Sequence, residues 1–194
     1  AADGRLVFAL PMADKLLLAT GIIILPQRNP VVLAKELASV DRLSKGRLVF
    51  GLGAGYLKPE FQALGIPFGD RGKRTDEYIE AIVALWTEDK PEYKGEYVAF
   101  GAIQAHPHPV QKPHPPMWLA CTNRRTIETA ARNGLGALAF SFVDPEEAKT
   151  WADTYYSIIK SDACVPLGHR VNANIAVVAG FSLHREAEEG RRRG

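Results

Sequence analysis

Gly51, Gly53 and Gly55, closely spaced in the run LVFGLGAGY, and the earlier pair Thr20-Gly21 are the residues of this chain best suited to chemistry on a ligand. Both sets stand where an apolar strand ends. Glycines there leave the backbone bare of bulky side chains, so a large planar or phosphorylated molecule can approach the peptide groups closely. In parallel α/β sheets, ligands bind beyond the carboxyl ends of the strands, because the loops there vary while the packed strands hold them in place. Thr20-Gly21 and residues 51–55 are therefore the first site candidates. Each glycine taken singly is explained as well by a tight turn or by close helix packing. A rival reading of Gly51-Leu52-Gly53-Ala54-Gly55 is a nicotinamide-binding Rossmann turn. That fingerprint needs G-x-G-x-x-G running straight into a helix, whereas Tyr56, Leu57, Lys58 and Pro59 follow the last glycine here.

Other reactive side chains form no usable pattern. His106, His108 and His114 crowd a proline-rich stretch, and imidazole is a common zinc ligand. The intervening prolines prevent a one-face helical arrangement and no Cys or carboxylate pair completes a shell, so no metal is assigned. His169 and His184 are isolated and read as structural or surface residues. Cys121 and Cys164 give neither metal spacing nor a disulfide framework, and suit a reducing compartment. Cys121 follows the short strand Pro116 to Ala120 and so falls on the ligand side. A reactive thiol would need a lowered pKa, for which Arg124 and Arg125 are near, and a small pocket-lining role is the preferred reading. There is no G-x-S-x-G elbow. Arg28, Arg71, Lys73 and Arg74 would attract an anionic cofactor tail. Asp70, Asp76 and Glu77 stand close by, and a solvated ion network is the first reading of the cluster.

The elements that position these residues follow from apolar spacing. Leu16 to Leu25 is a nearly unbroken apolar run, as expected of a parallel strand covered on both faces. Asn29 caps the next helix and Pro30 fits its first turn. Arg47 to Leu52 is a second strand. Thr75 to Thr87 is an amphipathic helix with Trp86 in its apolar face, a core residue rather than a ligand-stacking one. Tyr93 to Gln104 reads as a small β excursion turning at Lys94-Gly95, and Ala105 to Pro116 as a proline-rich connector. A helix over Asn123 to Asn133 ends at Gly134 and leads into a strand over Ala137 to Phe140. Asp144-Pro145-Glu146-Glu147 opens another helix, Val171 to Phe181 supplies a last strand, and His184 to Arg192 reads as a helix cut off by the chain's end.

The segments LATGI, LPQRNPVVLAK, LASVDRLSKGRLVFGLGAGY, EFQALGIPF, RGKRTDEYIEAIVALWTE, KGEYVAF and HPVQKPHPPMWLA occur in the order and spacing of the luciferase-like monooxygenase family. The chain resembles that family over about residues 16–140, and most of all its group dependent on the deazaflavin coenzyme F420. Relatives that use FMN share much of the pattern. The resemblance implies an α/β fold of the TIM (β/α)₈ barrel type. It implies hydride transfer between coenzyme F420 and an organic substrate or, as an alternative, oxygen activation on FMN. It also carries cofactor-binding positions onto Thr20, Gly21 and Ile22, onto Gly53 and Gly55, and onto Ala120, Cys121 and Thr122. Relatives commonly carry glycines and a Ser where this chain has Ala120-Cys121-Thr122-Asn123. In the implied site the Thr20 hydroxyl and nearby amides bond the ring edge, and a bulge with a non-proline cis peptide supports its face. In relatives the segment corresponding to 88–116 helps to cover the barrel mouth. No residue is assigned as general acid or base, because the family's usual candidate lies on strands before LATGI that have no recognisable counterpart here.

A full barrel takes about 250 residues, and this chain has 194. The expectation is one domain over 1–194 with an insertion and connector at 88–116, and an incomplete barrel of about five or six strands. A reading from another class follows: a non-catalytic barrel fragment, whose exposed strand edges invite association. Composition is 46% hydrophobic and 24% charged with a net charge of +2, which suits a globular α/β protein and argues against nucleic acid as a partner. Only Arg191 to Arg193 form a basic run, beside Glu186, Glu188 and Glu189. No apolar stretch is long enough to cross a bilayer and no signal peptide is visible, so no membrane partner and a cytoplasmic location are expected. The implied partners are a small-molecule substrate and, by the resemblance, a second copy in a homodimer.

Overall fold

The computed structural model of the chain describes residues 15–139, 145–177 and 184–193. Its main sheet is wholly parallel. The strands are β1 (Leu18–Ala19), β2 (Ile23–Ile24), β3 (Leu48–Gly53), β6 (Met117–Cys121), β7 (Gly136–Ala139) and β8 (Ile175–Val177). β1 and β2 are two stretches of one strand, because both pair with β3. The order is then β1/β2, β3, β6, β7, β8, each strand beside its successor in the chain. A Rossmann sheet reverses its order at a switch point. The described residues show no reversal, and the sheet is the open run of five strands that a barrel requires.

Helices α1 (Pro30–Leu43), α2 (Lys58–Ala63), α3 (Arg71–Thr87), α4 (Arg124–Arg132), α5 (Pro145–Ile159) and α6 (Ala187–Arg193) complete the architecture. α1 starts as its sequence dictates: the Asn29 side chain accepts the Val31 and Val32 amides at 3.0 and 3.1 Å, and Pro30 occupies the first turn. α1 packs on α3, and α4 on α5. Trp86 is a core residue: it is buried, stands edge-on to Phe50, and donates its indole N–H to the Ala34 carbonyl at 2.9 Å. Among the described residues no helix is long and apolar enough to cross a membrane.

Several boundaries differ from expectation. The run Leu16 to Leu25 does not continue as one strand but breaks after Ala19 and closes in a 3₁₀ turn over Leu25–Gln27. α3 begins at Arg71, a full turn before the apolar periodicity, because its first turn is polar. Phe140, Asp144 and residues 178–183 lie outside the described residues. The β excursion does form an antiparallel hairpin, β4 (Tyr93–Lys94) with β5 (Ala99–Phe100), but Lys94 is paired and the turn falls on residues 95–98. Its cause is Glu77 of α3, whose carboxylate accepts the amides of Glu96, Tyr97 and Val98 at 2.8, 2.7 and 2.7 Å. The connector that follows is fastened at the other end of the sheet. There the buried Asp41 accepts the Val110 and Gln111 amides and the Gln111 side chain, which also reaches the Leu48 carbonyl. The hairpin tip is thus held by the first half of α3, and the connector is tied at the strand starts.

Candidate functional site

The break between β1 and β2 is a bulge. Leu18 pairs with Leu48 and Ala19 with Val49, but Ile23 pairs with Leu52, so the first strand spends one extra residue between the two ladders. Thr20, Gly21 and Ile22 make up the irregular stretch, and the Gly21–Ile22 peptide is cis, as the resemblance implied. The Thr20 side chain bridges the gap: its hydroxyl donates to the Gly51 carbonyl at 2.6 Å and accepts the Gly51 amide at 2.8 Å. The Thr20 hydroxyl proton is committed to the neighbouring strand, and the residue is buried, so it shapes the bulge.

The glycines of β3 are the other half of this arrangement. A side-chain carbon at Gly51 would collide with the Thr20 carbonyl, and one at Gly53 with the Ile22 side chain. At Gly55, where φ is +81°, it would come within 2.8 Å of both Ile24 and the Phe61 ring. Thr20, Ile22 and Ile24 therefore lie against Gly51, Gly53 and Gly55 in turn. The room that the missing side chains leave is taken by the bulged strand, while Gly21 faces open space and is exposed.

Strand alternation sorts the remaining candidates into two faces. Phe50 meets Trp86 of α3 with ring centroids 6.0 Å apart, so Leu48, Phe50 and Leu52 face the helices and Gly51 and Gly53 face inward. Gly51 pairs in register with Trp118, and Trp118 with Gly136. Trp118 and Ala120 accordingly share the inner face and are half-buried, whereas Met117, Leu119 and Cys121 are buried against the helices. The Cys121 thiol lies 3.3 Å from the carbonyls of Leu119 and Thr126, and burial pushes it up to about 12. It is neither on the ligand side nor reactive at neutral pH; only its backbone reaches the strand end. Thr122 and Asn123 are exposed there and open α4 with a capping box, Asn123 accepting the Thr126 amide at 3.1 Å and the Thr126 hydroxyl accepting the Asn123 amide at 3.3 Å.

The cations near the mouth are engaged within the chain. Arg71 donates to the carbonyls of Gly55 and Phe68 and lies over the Phe68 ring. Arg74 pairs with Asp70 at 2.9 Å and lies 4.4 Å from the centre of the Tyr97 ring. Arg28 pairs with Glu36 at 2.8 Å. Within this cluster Arg74 and Asp70 form the ion pair, while Arg71 is held by carbonyls and a ring and Glu77 by the hairpin amides. His106 and His108 lie ring to ring, 5.3 Å apart, in the connector, while His114 is buried separately beside Trp86. Trp118 carries no motif that singles it out in the sequence. Its signal is the alternation in MWLAC, which sets Trp118 and Ala120 on one face.

An exposed Gly21 and the apolar side chain of Ile22, in the bulge of the first strand, thus stand on one side of β3, and a small Ala120 with the exposed cap of α4 on the other. This set fits a flat, tailed molecule: small residues leave room for a ring, and the start of α4 favours an anionic group. The family pattern described as luciferase-like monooxygenase matches residues 7–189. The oxygenase component of the flavin-dependent trigonelline monooxygenase of Acinetobacter baylyi is 36% identical over 119 residues, which are 60% of this chain and 33% of that protein. The crystal structure of a monooxygenase from Streptomyces bottropensis superposes with a TM-score of 0.84 at 28% identity, over 100% of this chain and 58% of that one. The coenzyme F420-dependent tetrahydromethanopterin reductase of Methanopyrus kandleri superposes with a TM-score of 0.78 at 22% identity, over 98% and 57%. The chain spans less than half the length of the curated relatives it matches.

Proposed function

The chain belongs to the luciferase-like monooxygenase family, and on that premise we propose that it forms the cofactor-bearing part of a flavin-dependent oxidoreductase acting on a small organic substrate. The observation that carries this reading is the set of small or exposed residues on the two strands that flank β3, Gly21 and Ile22 in the bulge and Ala120 and Thr122 before α4. When bound, the reduced ring supplies the electrons, to dioxygen in a monooxygenase or as hydride to an organic acceptor in a deazaflavin enzyme. The chain's own residues bind and orient. Ile22, held by its contact with Gly53, gives the ring an apolar shelf, and Ala120 leaves it room. Thr122 and Asn123, with the first amides of α4, meet the anionic tail. Gly53 and Gly55 act at one remove, by seating Ile22 and Ile24. Cys121 stays protonated and takes no part.

Reduced FMN is the first cofactor assignment and coenzyme F420 the second. The trigonelline and dimethylsulfone monooxygenases, both flavin enzymes by name, stand at 36% and 32% identity, whereas the F420-dependent neighbour at 22% supports the fold alone. This reverses the order in which the sequence motifs rank them. The reading carries with it a homodimer, a cytoplasmic setting, and a single barrel domain to which 88–116 is an addition. The test is parallel titration of the purified chain with FMN, reduced FMN under anaerobic conditions, and coenzyme F420, followed by ligand fluorescence. Saturable micromolar binding of one of them is expected, weakened by Ala120→Trp. A folded chain that binds none of the three overturns the proposal in favour of a non-catalytic barrel fragment.

A further inference from the structure

We infer that Trp118 is the floor beneath the ligand's ring, a specificity-determining residue that limits how far a flavin or deazaflavin sinks into the inner face of the sheet. The inference rests on the cofactor reading above. Trp118 is flanked in register by Gly51 on one side and Gly136 on the other, so one large aromatic side chain stands between two positions that carry none. A side-chain carbon at Gly136 would lie 2.6 Å from the indole and 2.5 Å from the Asn172 amide nitrogen. The indole is therefore seated against Gly136 and a buried wall. That wall is itself fixed, since Asn172 donates to the Met117 carbonyl at 3.0 Å and accepts the Tyr155 hydroxyl on its own carbonyl at 2.9 Å. One layer nearer the strand ends, Ala120 on the same face carries only a methyl group, with Leu138 opposite it in register. A large indole thus stands one layer below a small residue on the inner face, and that step is where the ligand's ring would rest. A residue that merely filled a barrel would satisfy the same packing, so the test must detect contact with ligand.

The chain contains three tryptophans, and Trp86 and Trp151 are both buried away from the inner face. Labelled with 5-fluorotryptophan, it gives one fluorine NMR signal for each, assigned with Trp118→Phe and Trp151→Phe. Should Trp118→Phe fail to fold, Trp118 is identified as the signal with the largest solvent isotope shift. FMN and coenzyme F420 are added separately, with binding followed by the ligand's own fluorescence. The expected result is movement of the Trp118 signal alone, together with about three- to tenfold weaker binding in Trp118→Leu, the loss an aromatic contact represents. Saturable binding with a stationary Trp118 signal, or unchanged affinity in Trp118→Leu, overturns the inference while leaving the cofactor reading intact. No binding of either ligand removes both.

Discussion

A glycine acts through whatever occupies the space it leaves. Gly51, Gly53 and Gly55 are legible as special residues, and the space beside them is filled by Thr20, Ile22 and Ile24 of the neighbouring strand. Nothing local in LVFGLGAGY names those partners, because the pairing register and the extra residue of the bulge decide which atoms meet. Cys121 makes the same point in reverse. One step along the strand separates Ala120 on the inner face from Cys121 on the outer, and that single alternation turns a pocket candidate into a core thiol. Its reactivity follows: burial raises the pKa to about 12, so the thiolate is scarce at neutral pH. Cys164 is only partly buried. In the folded chain iodoacetamide should label Cys164 first and Cys121 only after unfolding, as read by peptide mass spectrometry. Labelling of native Cys121 at the rate of a free thiol would contradict its placement.

At the scale of elements, those with their own local signals were readable: α1 with its Asn29-Pro30 start, and α4 with Asn123 before it and Gly134, at φ +67°, after it. Elements shaped by partners distant in sequence were not. The turn of the β4–β5 hairpin is set by Glu77, whose carboxylate collects three amides 19 to 21 positions further along the chain. Glu77→Ala should cost about 2 kcal/mol, the order expected for losing charged hydrogen bonds. Hydrogen exchange should quicken across residues 95–98 before the rest of the chain responds. Unchanged exchange in the hairpin of that variant would show that β4–β5 pairing alone holds the turn. The connector depends likewise on Asp41, a buried carboxylate in α1 that the helical pattern presents as one polar residue among others.

At the scale of the whole molecule, His114 ties the connector to the loop before β8. It is buried, its ring lies 6.2 Å from Trp86, and its Nε2 comes within 2.7 Å of where a side chain on Gly168 would begin. Burial, with smaller contributions from His169 and Arg170, lowers its pKa below the ordinary value. The unfolded chain therefore binds a proton that the folded chain refuses. Stability is full above the unfolded pKa of about 6.5 and falls as the pH drops from there towards the folded value. Urea midpoints measured from neutral to mildly acid pH should decline accordingly, and His114→Leu should flatten that decline. An equal slope in the variant would assign the acid sensitivity to other groups.

Composition, apolar periodicity and motif order were enough to determine the class of this chain, because they record short-range propensities and the run of βα units that a barrel needs. They located the strand ends as well, since glycines and helix starts punctuate the sequence there. Only the tertiary structure decided which face each candidate takes, where the bulge spends its extra residue, and that Thr20 bonds Gly51 while Trp118 stands between Gly51 and Gly136. The reason is physical: a strand's side chains alternate, so a shift of one residue in register exchanges core for site. That register is fixed by hydrogen bonds between strands far apart in sequence.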